Sequence, residues 1–250
     1  MRIIAPFIFV LGLSFLTTTA FAQYVDRDDS VRFEDDFESD EFVIAGRFRG
    51  IGMPSFIWDF WFDEHPNHWS DGQLNFSFGG EFTWRREGSF EIGFAVDYAD
   101  LSMKDAFWLE SGKSAVDQDW TQFDVQLLSL VFFTQWFWDV KPWFSPFVGV
   151  GLGPGLVLGD VTEFNPKEGS TCRNEALGGV FASPSCLDKG KVNLERDFDA
   201  GEKETGIPPL LPVLQLGGGV RFNIAKHAML KIELGFQDYL YLGGALGVQW

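Results

Sequence analysis

Gln73-Leu74-Asn75-Phe76-Ser77-Phe78-Gly79-Gly80-Glu81-Phe82-Thr83-Trp84-Arg85 separates two kinds of residue by parity. Its even positions are Leu74, Phe76, Phe78, Gly80, Phe82 and Trp84; its odd positions are Asn75, Ser77, Gly79, Glu81 and Thr83. Successive side chains of a strand point to opposite faces, so a period of two marks a strand whose faces meet different surroundings.

The same division recurs along the chain. Ser89 to Ala99 sets Phe90, Ile92, Phe94, Val96 and Tyr98 against Glu91, Gly93, Ala95, Asp97 and Ala99. Phe144 to Leu156 sets Val148, Val150 and Leu152 against Gly149, Gly151, Gly153 and Gly155. Leu214 to Ile224 sets Leu216, Val220 and Phe222 against Gly217, Gly219 and Arg221, and Leu230 to Gln237 sets Ile232, Leu234 and Phe236 against Lys231, Glu233 and Gly235. Leu240 to Trp250 carries Leu242, Leu246, Val248 and Trp250 on the even side. Two further strands are less regular. Glu41 to Met53 places Phe42, Ile44 and Phe48 against Arg47 and Arg49, with glycines blurring its second half, and Phe123 to Trp138 is apolar on both faces, which leaves its register open.

Eight strands of this kind predict an all-β fold, an eight-stranded antiparallel transmembrane β-barrel over residues 41–250. The interior of so small a barrel has room only for modest side chains, so the Phe- and Trp-rich even face is expected outward, against lipid. Short connections at Arg86-Glu87, Asp139 to Trp143 and Lys226-His227 alternate with long ones at Asp63 to Gly72, Asp100 to Trp120 and Gly159 to Gly206. That alternation fits short periplasmic turns and long external loops. A tight turn near Asp238 is the exception. Trp84, Trp136, Trp138, Trp143 and Trp250 then fall at periplasmic strand ends, with Trp58, Trp61, Trp108 and Trp120 at or beyond the external ends, as two boundary girdles require.

The remaining chain is read as export and leader segments. Residues 1–22 have the form of a signal peptide: Arg2, the apolar run Ile3 to Leu16, and Ala20-Phe21-Ala22 before the cleavage point. Residues 23–40 form an acidic, solvated periplasmic leader; Gln23 to Glu41 holds nine acidic residues against Arg27 and Arg32. A net charge of −17 excludes nucleic acid as a partner, because phosphate binding needs clustered cations. With 28 Phe, 10 Trp and 28 Gly, the composition suits a lipid-facing sheet better than a compact soluble core.

Cys172 and Cys186 are the only cysteines, both in the longest external loop of an exported chain, and are expected to form a disulfide that staples that loop. On the chain-entropy model such a closure is worth roughly 3 kcal/mol to the loop. The inward set carries Arg47, Arg49, Arg85, Arg221 and Lys231 beside Glu81, Glu91, Asp97 and Glu233. Opposite charges in a narrow interior pair into a plug, with a narrow or gated water path as the alternative.

The C-terminal strand Leu240 to Trp250 ends on an outward aromatic after alternating apolar residues. It resembles the assembly signal of bacterial outer-membrane barrels, with Trp250 as its terminal aromatic. Ser145-Pro146-Phe147-Val148-Gly149-Val150-Gly151-Leu152-Gly153 similarly resembles a strand common in the OmpA-like and porin-family barrel domains. The resemblance covers most of Glu41 to Trp250 as a pattern. It implies the barrel fold, an outer-membrane location and, at Trp250, recognition by the barrel-assembly machinery; about activity it implies little. A monomer in contact with outer-membrane lipids and lipopolysaccharide is expected.

No catalytic or cofactor-binding site is assigned. His65 and His68, beside Asp63 and Glu64, are read as an ordinary polar loop rather than a metal site. No serine can be matched to them for hydrolytic chemistry. The expected role is structural or surface-interacting through the external loops, with a small diffusion channel as the alternative and an envelope lipid-modifying enzyme as the least favoured.

Overall fold

The computed structural model describes residues 40–59, 62–65, 74–85, 90–113, 118–167, 187–188, 191–205 and 207–250. The expected signal peptide, most of the leader, Trp61, His68, Cys172 and Cys186 lie outside the described residues.

The structure is a closed, antiparallel, eight-stranded barrel. Its wall is made of β1 (Glu41–Gly52), β2 (Asn75–Arg85), β3 (Phe90–Asp100), β4 (Asp119–Phe137), β5 (Phe144–Phe164), β6 (Leu210–Ala225), β7 (Ala228–Gln237) and β8 (Leu240–Gln249). Each pairs with its sequence neighbour, and β1 pairs with β8 from Val43↔Gln249 to Gly52↔Leu240, so the wall has no open edge. Closure satisfies every ladder from within, as a sheet in an apolar solvent requires.

Parity sorts the wall as the sequence indicates: Phe76, Phe78, Ile92, Phe94, Val150, Leu152, Leu234, Leu242 and Leu246 are exposed outward. Along β4, whose register the sequence leaves open, the odd residues Val125, Leu127, Ser129, Val131, Phe133, Gln135 and Phe137 are inward, while Leu128, Phe132 and Trp136 are exposed outward.

The interior corrects the expectation of modest side chains. Phe133, Phe137, Phe147, Tyr239 and Tyr241 are all buried inside the wall. Inward glycines make the room: Phe133 stands in register between Gly93 on β3 and Gly151 on β5, where an added Cβ would come within 3.0 Å of its ring at 93 or 2.9 Å of its own Cβ at 151. Tyr241 lies opposite Gly235, and a Cβ there would stand 2.6 Å from its hydroxyl. Volume is therefore conserved by large–small alternation between neighbouring strands.

The long connections are more structured than expected. β4 and β5 run on past the rest of the wall to Asp119 and Phe164, with Trp120↔Phe164 still in register. Gly159, at φ 86°, sits on this extension where a side chain would overlap the Asp124 carbonyl. Strand Met103–Glu110 pairs with the start of β4, strand Phe62–Glu64 pairs with Met103–Glu110, and Glu202–Lys203 pairs with β5. Together they form a hood over one end of the barrel. The opposite end carries the short turns 138–143 and 226–227.

Candidate functional site

The interior divides into layers. Nearest the hood, Ile51, Ala99, Leu127, Val213, Tyr239 and Tyr241 form an apolar layer, with Met53, Leu101 and Val157 packed against it. Below it lie the charges. The ε-nitrogen of Arg49 donates to Glu233 at 2.7 Å and its Nη1 to Gln237 at 2.8 Å; Arg47 donates to Asp97 at 3.0 Å and approaches Glu81 at 3.6 Å. Lys231 continues the chain, donating to Glu81 at 2.7 Å, Gln135 at 3.2 Å and Glu91 at 3.3 Å. Arg221 then donates to Glu91 at 3.2 Å, to Gln249 at 2.9 Å and to Glu41.

Four cations thus meet four carboxylates inside the wall, with Glu41 joining at the rim. Each of the four cationic side chains is at most 1% exposed. The presence of an opposite charge beside each one is what makes buried charge tolerable. Several pairs skip a strand, and glycine again explains how. Arg49 on β1 reaches Glu233 on β7 across Gly243 of β8, while Arg47 reaches Asp97 on β3 across Gly79 of β2. A Cβ at 243 would stand 2.8 Å from the Arg49 side chain, and one at 79 would overlap the Asp97 carboxylate.

The structure brings eight of the nine expected network residues together. Arg85 is elsewhere: it pairs with Asp139 at 2.6 Å at the short-turn rim, where Ser145 also donates to Asp139 at 2.6 Å. Its position at the end of β2 puts the guanidinium below the buried belt. Sequence reading missed Glu41, Gln135, Gln237 and Gln249 as network members. All four occupy odd positions of their strands, and this parity was the available signal; Glu41 was instead counted with the acidic leader.

Over the hood end, helix Ser55–Trp58 drops Trp58 against Trp108 at 5.3 Å and Phe123 at 5.4 Å, both edge-on, and Phe62 meets Trp108 at 4.7 Å. Trp108 is only 4% exposed. Trp58 and Trp108 therefore cap the mouth from inside, which corrects their assignment to a boundary girdle; edge-to-face packing offers them more than an exposed position would. Trp136, Trp138, Trp143 and Trp250 are exposed outward at the short-turn end.

Hood loops are tied by local polar contacts. Asp63 accepts from the Gly112 amide at 3.1 Å and the Ser111 hydroxyl at 2.8 Å, which hold its carboxyl below the usual range. His65 Nε2 lies 2.9 Å from Asp59 Oδ1. Among the described residues, no group of three or more His, Cys, Asp or Glu side chains is placed to hold a metal. Burial, followed by the nearby charges of Asp119 and Glu204, raises the Glu163 carboxyl. Burial also pushes Asp238, in the tight turn between β7 and β8, up to about 6, against a lowering contribution from the Leu214 amide.

No protein-family model and no curated protein matches the chain. Among solved structures it is similar to the attachment invasion locus protein Ail of Yersinia pestis, with 10% identity over 85% of this chain and 99% of that one and a TM-score of 0.42. It is also similar to the outer membrane protein OprG of Pseudomonas aeruginosa, at 10% identity over 85% and 97% with a TM-score of 0.44. Neisserial surface protein A gives 14% identity over 85% and 98% with a TM-score of 0.38. At such values the barrel assignment rests on the ladders of this chain itself.

Proposed function

We propose that the chain is a monomeric outer-membrane barrel that holds a surface-contact hood above the lipid and does not conduct through its bore. The observation that carries this reading is the pairing of polarity: charges neutralise one another inside, while the outside is apolar. Along β4 the outward apolar stretch runs from Leu128 to Trp136. At roughly 3.4 Å per residue and a tilt of roughly 40°, it gives a band about 21 Å tall, close to the apolar band of such barrels. Asp124 and Asp160, paired across β4 and β5, bound it on the hood side. The hood then lies outside the cell, and both termini of the barrel lie on the periplasmic side.

In this reading the chain acts by contact and not by catalysis. Outer-membrane lipids and lipopolysaccharide surround it, and the assembly machinery recognises its last strand. A narrow water path is the second reading. Arg47 Nε and Glu81 Oε2 face one another at 3.6 Å without a hydrogen bond, and the buried Thr83 hydroxyl has no hydrogen-bond partner among the described residues. Polar spacing of this kind suits a bridging water. Single-channel recording in planar bilayers separates the two: absence of discrete conductance steps supports the closed bore, and reproducible steps select the water path.

A further inference from the structure

On the outward side of the hood the chain folds back over its own strands. Phe198 is buried beside Phe107, at 6.1 Å between ring centroids, and Phe107 packs edge-on against Trp120 at 5.0 Å. Gly201 lies on the Phe164 ring, where a Cβ would come within 2.6 Å of it. Between these segments opens a cleft of about 390 Å³ bordered by Phe164, Lys167, Leu194, Glu195, Asp199 and Gly201. It is an open surface depression, suited to covering one face of a ligand rather than enclosing it.

The cleft has an apolar floor and a charged rim. Lys167 is fixed there by donating to the Glu195 main-chain oxygen at 2.8 Å. Among the described residues, the carboxylates of Glu195 and Asp199 have no hydrogen-bond or ion-pair partner. Two open acceptors beside an aromatic ring suit a ligand that is apolar on one face and rich in donors on another. A pyranose ring has this form: its C–H face packs on the negative face of an aromatic ring, and its hydroxyls donate to carboxylates. Two carboxylates against one ammonium disfavour an anionic sugar.

Position supplies an independent argument. Trp120 and Phe164 are in register, and Trp120 lies eight residues beyond Leu128 on β4. At the same rise and tilt this is about 20 Å above the apolar band, whereas the headgroup layer is only roughly 5–8 Å deep on each side. The cleft thus stands beyond the headgroups, at the level where surface saccharide begins.

We infer that this cleft binds a neutral pyranose of a cell-surface glycan, with Phe164 against the ring and Glu195 and Asp199 accepting from its hydroxyls. The inference rests on the outer-membrane reading above. The sugar's source is either the lipopolysaccharide core of the same membrane or a glycan outside it.

The test is calorimetric titration of the full mature chain, folded in detergent micelles, with two probes: dephosphorylated core oligosaccharide released from the lipopolysaccharide of the expressing cells, and maltohexaose. Saturable binding of either probe is expected. A Glu195→Gln, Asp199→Asn double variant should weaken it at least tenfold, while Asp63→Asn, elsewhere in the hood, leaves it unchanged. Binding of the core alone assigns the source to the same membrane, binding of maltohexaose alone assigns it outside, and binding of both supports a pyranose site open to either source. No saturable binding of either probe, or undiminished binding by the double variant, overturns the inference. Gel mobility before and after boiling is read on the same samples. A retained barrel without binding rejects only the cleft, whereas a missing barrel rejects the outer-membrane reading itself.

Discussion

Arg49 Nε donates to Glu233 Oε1 at 2.7 Å, although their strands are not neighbours: β8 lies between them and contributes only Gly243 at that level. The ion pair and the glycine are one device. A Cβ at 243 would overlap the Phe48 carbonyl and stand 2.8 Å from the Arg49 side chain, so removal of the glycine should disturb both the β1–β8 ladder and the ion pair that crosses it.

Gly243→Ala is expected to destabilise the folded barrel by about 1–3 kcal/mol, the usual range for overpacking. Gly46→Ala is the control, since nothing lies within 4 Å of a Cβ at that outward position. Urea unfolding of micelle-folded protein measures both. Equal midpoints for the two variants would remove the glycine from the account.

Truncation of one partner should cost more than truncation of two. Glu233→Ala leaves four buried cations to three buried carboxylates, with Arg47 and Arg49 sharing Asp97 and Glu81 with Lys231, and is expected to cost about 3–5 kcal/mol. Arg49→Met with Glu233→Met restores neutrality and should cost less than Glu233→Ala. A double variant less stable than Glu233→Ala would show that the charges do not act as a network.

Asp238 predicts a pH dependence. It adopts φ 55°, a left-handed conformation that Asn tolerates well, and burial raises its carboxyl to about 6 from an ordinary 3.8. A raised carboxyl means that the ionised form is disfavoured by folding. Its penalty is present in full above pH 6 and disappears as the pH falls toward 4. Asp238→Asn keeps an oxygen to accept from the Leu214 amide, as Asp238 does at 3.3 Å. The variant should be more stable than the parent by about 1 kcal/mol at pH 8, after allowance for solvent screening, with the gap closing by pH 4. A gap constant across that range would contradict the assignment.

Trp250 should matter to assembly more than to the finished barrel. Its backbone exchanges hydrogen bonds with Phe42, at 3.1 Å from its amide to the Phe42 oxygen and 3.0 Å in return, and an alanine keeps both. The ring is 56% exposed. Trp250→Ala is expected to lower the yield of folded protein in cells severalfold while shifting the urea midpoint of refolded protein little. Unchanged yield with a large shift in stability would reverse the assignment.

Parity made the wall legible, because each strand has one apolar and one mixed face, and even the open register of β4 obeys it. It also located eight buried charges, since Arg47, Asp97 and Lys231 are intelligible inside only as partners. What it could not convey was volume. Whether Phe133 fits inside depends on Gly93 and Gly151, on two other strands, and that pairing follows from register rather than from local sequence. The hood was hidden for a related reason: Met103–Glu110 has a register shift against β4, which breaks the two-residue pattern. Trp58 and Trp108 were misplaced because an aromatic that ends a strand and one that caps a mouth look alike in sequence.

The central claim is that the outward band faces lipid. It is tested most directly by fractionating expressing cells and running the outer-membrane fraction on gels with and without boiling. The account predicts recovery in the outer membrane and a compact, unboiled form whose mobility changes on heating, because a closed ladder gives detergent no edge to open. Recovery in the soluble periplasm, or identical mobility before and after boiling, would contradict it.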